Sequence, residues 1–447
     1  MKVKVKPFFY LVVFLLTIFF SVEIYASNYL IGDPLPDAPD QAYRGNYRVG
    51  VRTLEIVNEN QLDILNYSRD NPDPRYDRKL KLEVWYPADI PERRKELTTY
   101  LDYQFGDYPE EPIVYQGRAL RNAPVHKEDS GYPLVIVSHG YPGTRLMMSY
   151  LTENLASKGY VVVAIDHTDS TSIDQKAFSS TLLNRPLDIL FTLDKIAEMG
   201  REDSDSFLAG MVDADHTALI GYSMGGYGSI NAAGAGFSEN AVNSPWGVPG
   251  GHLKIRQSGQ EIFEKSIDKR IKAIFVMAPW GAAQFWDKET MKGLKVPSFY
   301  VVGDEDDVAG YENGVKLFYD WAVNSERYML VFRNARHNIA PNAYDSSGAL
   351  NSVEMTASEL MRFNEPSWDN RHINNIIQHF ATAFLGIYLK GENYQDYLDL
   401  IPISNEGKWS QDKNGNFKDD HTHWKGFPER TAIGLEFYHS SPDNGLK

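Results

Sequence analysis

The sequence predicts an α/β fold in which a mostly parallel central sheet is covered by helices on both faces. Three observations carry this expectation. Continuous apolar runs such as "YPLVIVSHG" (132–140) and "YVVVAIDH" (160–167) recur along the chain, as strands buried on both faces require. Stretches with helical spacing alternate with them, as parallel crossover connections demand. The 447 residues, 43% hydrophobic and 23% charged, suffice for one sizeable core.

The first segment stands outside that core. Lys2, Lys4 and Lys6 precede an apolar stretch from Phe8 to Val22, and Ile24-Tyr25-Ala26 closes it with a small residue. This is the three-part pattern of a secretory signal peptide over residues 1–26, and the stretch is short of the ~20 residues that span a bilayer. The expected location is therefore periplasmic or secreted, with no transmembrane span in the mature chain. The chain has no cysteine, which excludes disulfides, thiolate nucleophiles and thiolate metal sites. Its formal net charge of −15 is unsuited to nucleic acid or anionic membrane surfaces.

From residue 27 to about 400 the sequence reads as one catalytic domain. "YRVGVRTLEIVN" (47–58) and "LKLEVWYPAD" (80–89) form an opening antiparallel pair across a polar loop at 66–79. After "YPLVIVSHG" comes the helix "YLTENLASKGY", then the strand "YVVVAIDH". "RPLDILFTLDKIAEM" (185–199) is amphipathic, with Pro186 near its first turn and Leu187, Leu190, Leu193 and Ile196 on one side. "TALIGYS", "IKAIFVMAPWG", "VPSFYVVGD" and "ERYMLVFRNARH" are four more strands, and 371–392 is a long closing helix. Residues 235–268 interrupt the alternation and read equally as a small cap insertion or a solvated loop. Residues 401–447 are polar with scattered aromatics, a C-terminal extension packed over the domain.

Ligand sites in such sheets lie beyond the carboxyl ends of strands. At one of these ends Gly221-Tyr222-Ser223-Met224-Gly225 matches G-x-S-x-G, in which a strand reverses into a helix and leaves the serine hydroxyl exposed. Ser223 is the expected nucleophile. Its partners should follow in the order acid, then histidine. His337 stands after "YMLVFRNA" and is the only histidine between the acidic loop and the closing helix. Imidazole both accepts and returns a proton near neutral pH, so His337 is the expected base. In the loop "DEDDVAG", Asp306 is the chosen acid because Gly303 precedes it by three residues and Val308 follows it by two; Asp304 and Asp307 are the alternatives.

An oxyanion hole needs two backbone N–H groups, expected from Met224 and from Tyr141 in "SHGYPG". His139 supports that loop rather than performing chemistry. Trp280, at another strand end, either walls the acyl pocket or covers the core edge. Arg145 reads as a structural ion pair, and "DKNGNFKDD" (412–420) misses calcium-loop spacing. No cofactor and no metal are expected.

With these residues in place the chain resembles an α/β-hydrolase. More specifically it resembles the platelet-activating factor acetylhydrolase and dienelactone-hydrolase-related esterases. The matching stretches are "EVWYPA" (83–88), "VSHGYPGTR" (137–145), "LASKGYVVVAIDHTDS" (155–170), "RPLDILFTLD" (185–194), "GYSMGG" (221–226) and "AFLGIYLKG" (383–391). The resemblance implies metal-free hydrolysis of short-chain carboxylic esters through an acyl-enzyme, with Ser223, Asp306 and His337 at the triad positions. One departure is that dienelactone hydrolases proper use a cysteine nucleophile, which is absent here. The competing readings are a serine peptidase of the same fold and a catalytically silent, hydrolase-like binding domain. The expected partner is a small ester or lipid-like substrate.

Overall fold

The computed structural model describes residues 29–103, 112–245, 247–344, 356 and 360–443. The leader expected over residues 1–26 lies outside them. Fourteen strands are present among the described residues: β1 Val49–Leu62, β2 Arg75–Pro87, β3 Thr98–Asp102, β4 Ile113–Gly117, β5 Leu120–Arg121, β6 Tyr132–Ser138, β7 Val161–Asp166, β8 Ser170–Thr171, β9 Asp174–Gln175, β10 Val212–Tyr222, β11 Ile271–Met277, β12 Ser298–Gly303, β13 Arg327–Phe332 and β14 Leu435–Ser440. Ten of them form one sheet in the order β14-β13-β12-β11-β10-β6-β7-β2-β1-β5. From β13 to β7 every neighbouring pair is parallel, while β2 lies antiparallel to β7, β1 to β2 and β14 to β13.

The helices are α1 Ser149–Ser157, α2 Phe178–Gly200, α3 Met224–Ala232, α4 Glu239–Val242, α5 Glu261–Lys265, α6 Ala282–Phe285, α7 Lys316–Trp321 and α8 Asn370–Leu385. Strand side chains alternate between two cores, because successive residues point to opposite faces. In β6, Val135 and Val137 join α1 and α8 on one face. Leu134 and Ile136 join α2, α3 and α7 on the other. Among the described residues no helix is long and apolar enough to cross a membrane.

Three local expectations need correction. The opening loop is shorter than 66–79, because β2 already begins at Arg75. Pro186 is not near a first turn, since α2 starts at Phe178 and Pro186 lies well inside it. Proline has no N–H, so the Leu182 carbonyl loses its helical donor. The Tyr227 hydroxyl of α3 donates to that carbonyl instead, at 3.0 Å. The fully buried face of α2 runs through Leu182, Arg185, Ile189, Leu193 and Ile196, so Leu187 and Leu190 flank it rather than line it.

Between residues 235 and 268 lie the short helices α4 and α5, and Phe237, Ala241, Val242, Leu253 and Phe263 are buried. Past residue 400, Trp424, Phe427, Leu435 and Phe437 join the core on the α8 side, and β14 supplies the edge strand beside β13.

One buried acid gives the fold a pH dependence. Glu153 of α1 accepts from the Tyr100 hydroxyl at 2.5 Å and the Arg118 N–H at 2.7 Å. Burial nevertheless pushes its carboxyl up from 4.5 to about 7. The folded state then holds a proton that the unfolded chain has released, so this contribution is full below pH 4.5 and falls as pH rises toward 7. In Glu153→Gln the decline of Tm with pH across that window should be shallower than in the parent, as thermal melts in matched buffers would measure.

Candidate active site

β10 ends at Tyr222 and α3 begins at Met224, leaving one residue for the reversal. Ser223 takes φ 51°, ψ −112°, a backbone strain tolerated because the surroundings over-determine it. Its N–H donates to Met277 O at 2.9 Å, and its carbonyl accepts from Tyr227 and Trp280 at 3.1 and 3.2 Å. The flanking glycines are demanded by contact. A Cβ on Gly221 would lie 2.4 Å from Gly225, and one on Gly225 only 1.9 Å from Ser138 O.

The structure brings Ser223, His337 and Asp306 together from three strand ends. His337 Nε2 lies 3.1 Å from Ser223 Oγ. His337 Nδ1 lies 2.9 Å from Asp306 Oδ2 and 3.0 Å from Oδ1. With Nδ1–H donating to the carboxylate, Nε2 is left to accept the serine proton. Asp306 Oδ1 also accepts from the Val308 and Ala309 amides at 2.9 and 2.8 Å. Burial works to raise this carboxyl, but the His337 bond and charge and those two amides outweigh it and hold it below its usual value. The neighbouring acids are turned elsewhere: Asp304 pairs with Arg333 at 3.1 Å and Asp307 pairs with Arg336.

Neither the Tyr141 nor the Met224 N–H has another acceptor among the described residues. Gly140 brings the first of these loops close, since a Cβ there would lie 3.6 Å from Ser223 Cβ. Beside them stands an aromatic wall. Tyr141 packs edge-on against Phe178 at 4.9 Å, and Phe178 against the half-buried Trp280 at 5.6 Å. Arg145 is occupied by Glu83 and Asp166, at 3.0 and 2.6 Å.

Glu365 has no counterpart in the sequence reading. Its carboxylate accepts from the N–H groups on both sides of His337, Arg336 and Asn338, each at 2.6 Å. Its own N–H is held by Asn370 Oδ1 at 2.8 Å, which ties the histidine loop to the start of α8. An acceptor of backbone N–H groups leaves no spacing signature, so no motif could have found it.

A mostly parallel, helix-covered sheet with a serine on this strand-to-helix turn defines an α/β-hydrolase fold. Comparison with known proteins agrees with that class. Residues 124–258 match the PET hydrolase-like family, and residues 42–188 match platelet-activating factor acetylhydrolase, isoform II. Cutinase est1 of Thermobifida alba is 26% identical over 228 residues, 51% of this chain and 60% of its own. A bis(hydroxyethyl) terephthalate hydrolase of Streptomyces coelicolor is 25% identical over 241 residues, 54% of this chain and 60% of its own. The chain thus spans about 60% of the length of these curated relatives. A ferulic acid esterase from Streptomyces cinnamoneus superposes with a TM-score of 0.54 at 17% identity, covering 82% of this chain and 94% of that one. The chain has an α/β-hydrolase fold, and parts of it are similar to the platelet-activating factor acetylhydrolase and PET hydrolase-like families.

Proposed function

We propose that this chain is an exported serine hydrolase that cleaves small carboxylic esters through an acyl-enzyme. The observation that carries the reading is the Ser223–His337–Asp306 relay on the strand-to-helix turn, with the Tyr141 and Met224 N–H groups, which have no acceptor among the described residues. Ser223 Oγ attacks the ester carbonyl while His337 Nε2 takes its proton. The Tyr141 and Met224 amides hold the oxyanion of the tetrahedral intermediate, and the imidazolium, steadied by Asp306, returns the proton to the leaving alcohol. Water then attacks the acyl-serine by the same route in reverse, releasing the acid and restoring the serine. Export rests on the leader pattern of residues 1–26.

The Tyr141–Phe178–Trp280 wall favours an acyl group that is flat or short enough to lie against it. Relatives named cutinase and bis(hydroxyethyl) terephthalate hydrolase are in keeping with such a substrate. A panel of p-nitrophenyl esters, from acetate to decanoate and including benzoate, tests this reading. Turnover should be greatest for acetate, butyrate and benzoate. Trp280→Ala should raise KM for benzoate about tenfold, the loss of one aromatic contact, with little change for acetate. Equal changes for both esters would remove Trp280 from the acyl pocket, and no turnover of any ester would remove the function.

A further inference from the structure

A second Ser–His–Asp relay lies behind the first. Ser138 Oγ is 2.9 Å from His167 Nε2, and His167 Nδ1 is 2.9 Å from Asp188 Oδ2. All three residues are buried, so no substrate reaches this serine. Asp188 is also paired with Arg78, at 2.7 and 2.9 Å. Beside this group runs Arg185, itself buried, reaching the Ser138 and Ser170 hydroxyls and donating to the carbonyls of His139 and Gly140. Gly228 of α3 makes room for it, since a Cβ there would lie 2.6 Å from Arg185 Cγ.

The Gly140 carbonyl therefore receives two donors from inside the protein. Arg185 Nη2 lies 3.2 Å from it and His139 Nδ1 lies 2.7 Å from it. The His139 tautomer agrees, because its Nε2 accepts the His167 N–H at 3.2 Å. Burial, with the Arg185 charge beside it, keeps His139 well below its ordinary value and so neutral. The Gly140 C=O and the Tyr141 N–H belong to one planar trans peptide, in which the two bonds point in opposite directions. Pinning the carbonyl inward thus aims the N–H the opposite way, in a loop whose Gly140 approaches Ser223 closely.

We propose that Arg185 and His139 are positioning residues that orient the Gly140–Tyr141 peptide, and with it the Tyr141 N–H, for the oxyanion of the ester reaction. The inference rests on the serine esterase reading above. It gives the sealed Ser138–His167–Asp188 relay a role as the scaffold behind this loop, not as a second catalytic centre.

The test uses the full chain and four variants, Arg185→Lys, Arg185→Met, His139→Asn and His139→Ala, with active sites titrated by a fluorophosphonate. Arg185→Met and His139→Ala should lower kcat for p-nitrophenyl butyrate about 10- to 100-fold, short of the loss of a whole oxyanion donor. KM should stay within about twofold, because the donor acts in the transition state. The Ki of benzeneboronic acid, which forms a tetrahedral adduct on the serine, should rise in step with the fall in kcat. His139→Asn keeps an N–H near Gly140 O and Arg185→Lys keeps one cation, so each should recover much of the loss. His139→Ala leaves the Arg185 contacts intact and decides the matter if Arg185→Met does not fold. Unchanged kcat per titrated site, or a fall in kcat with no change in boronate affinity, would overturn the positioning role. Ester turnover by Ser223→Ala at the parent rate would instead overturn the esterase reading beneath it.

Discussion

Replacing Ser223 with alanine is expected to lower kcat for p-nitrophenyl butyrate by about a millionfold, leaving only a slow background. The reason is geometric. Ser223 Oγ is the hydroxyl at 3.1 Å from His337 Nε2, and the other serine in such a relay, Ser138, is sealed in the core. The fold should survive the change. Alanine occupies the same strained backbone position as serine, and the turn is held by backbone bonds from Ser223 to Met277, Tyr227 and Trp280 that need no side chain. Tm should therefore stay close to that of the parent while turnover disappears. Residual activity within tenfold of the parent would place the nucleophile elsewhere.

Asp306→Asn is expected to cost about 10⁴-fold in kcat, and the contacts of Asp306 say how. Both the Val308 and Ala309 amides donate to Oδ1. An asparagine that keeps those bonds puts its NH₂ where Oδ2 was, facing His337 Nδ1. That nitrogen must then accept, its proton moves to Nε2, and the ring can no longer take the proton of Ser223. KM should change little, because the Asp306 side chain is sealed behind His337. Stability carries a second readout. The folded carboxyl is held below its ordinary value, so its contribution is present above that value and is lost as pH falls through the lowered one. The asparagine variant should lack this part of the acid sensitivity, which melts in acidic buffers would measure. A variant with parent-like kcat would return the role to Asp304 or Asp307, both of which are paired with arginines.

Among those three acids the sequence offers only a spacing from Gly303, and spacing cannot say which way a loop side chain turns. In the fold it is Asp306 that meets His337, while Asp304 and Asp307 pair with arginines. The placement of Ser223 and His337 beyond strand ends is readable for a different reason. Each follows an apolar run that only a buried strand explains, and the sharp turn requires glycines at 221 and 225 that the chain supplies. Glu365 was illegible, since it acts through backbone N–H groups across a fold-made contact. Arg185 was hidden by its neighbour. Pro186 suggested a helix start at 185, which would leave an arginine near a solvent-exposed end, whereas the helix runs from Phe178 and buries Arg185 against the loop. β14 did carry a signal, the alternation of buried Leu435 and Phe437 with the more exposed Glu436 and Tyr438, but it lies within a polar tail far from the other strands.

Activation of Ser223 by His337 is the step on which the proposed ester chemistry depends. A fluorophosphonate probe followed by peptide mapping tests this most directly, since the probe reacts with an activated serine whatever the natural ester. One phosphonyl group per chain is expected, on Ser223, with labelling abolished in Ser223→Ala and strongly slowed in His337→Ala. An unlabelled chain that is fully folded, or a label on any other residue, would contradict it.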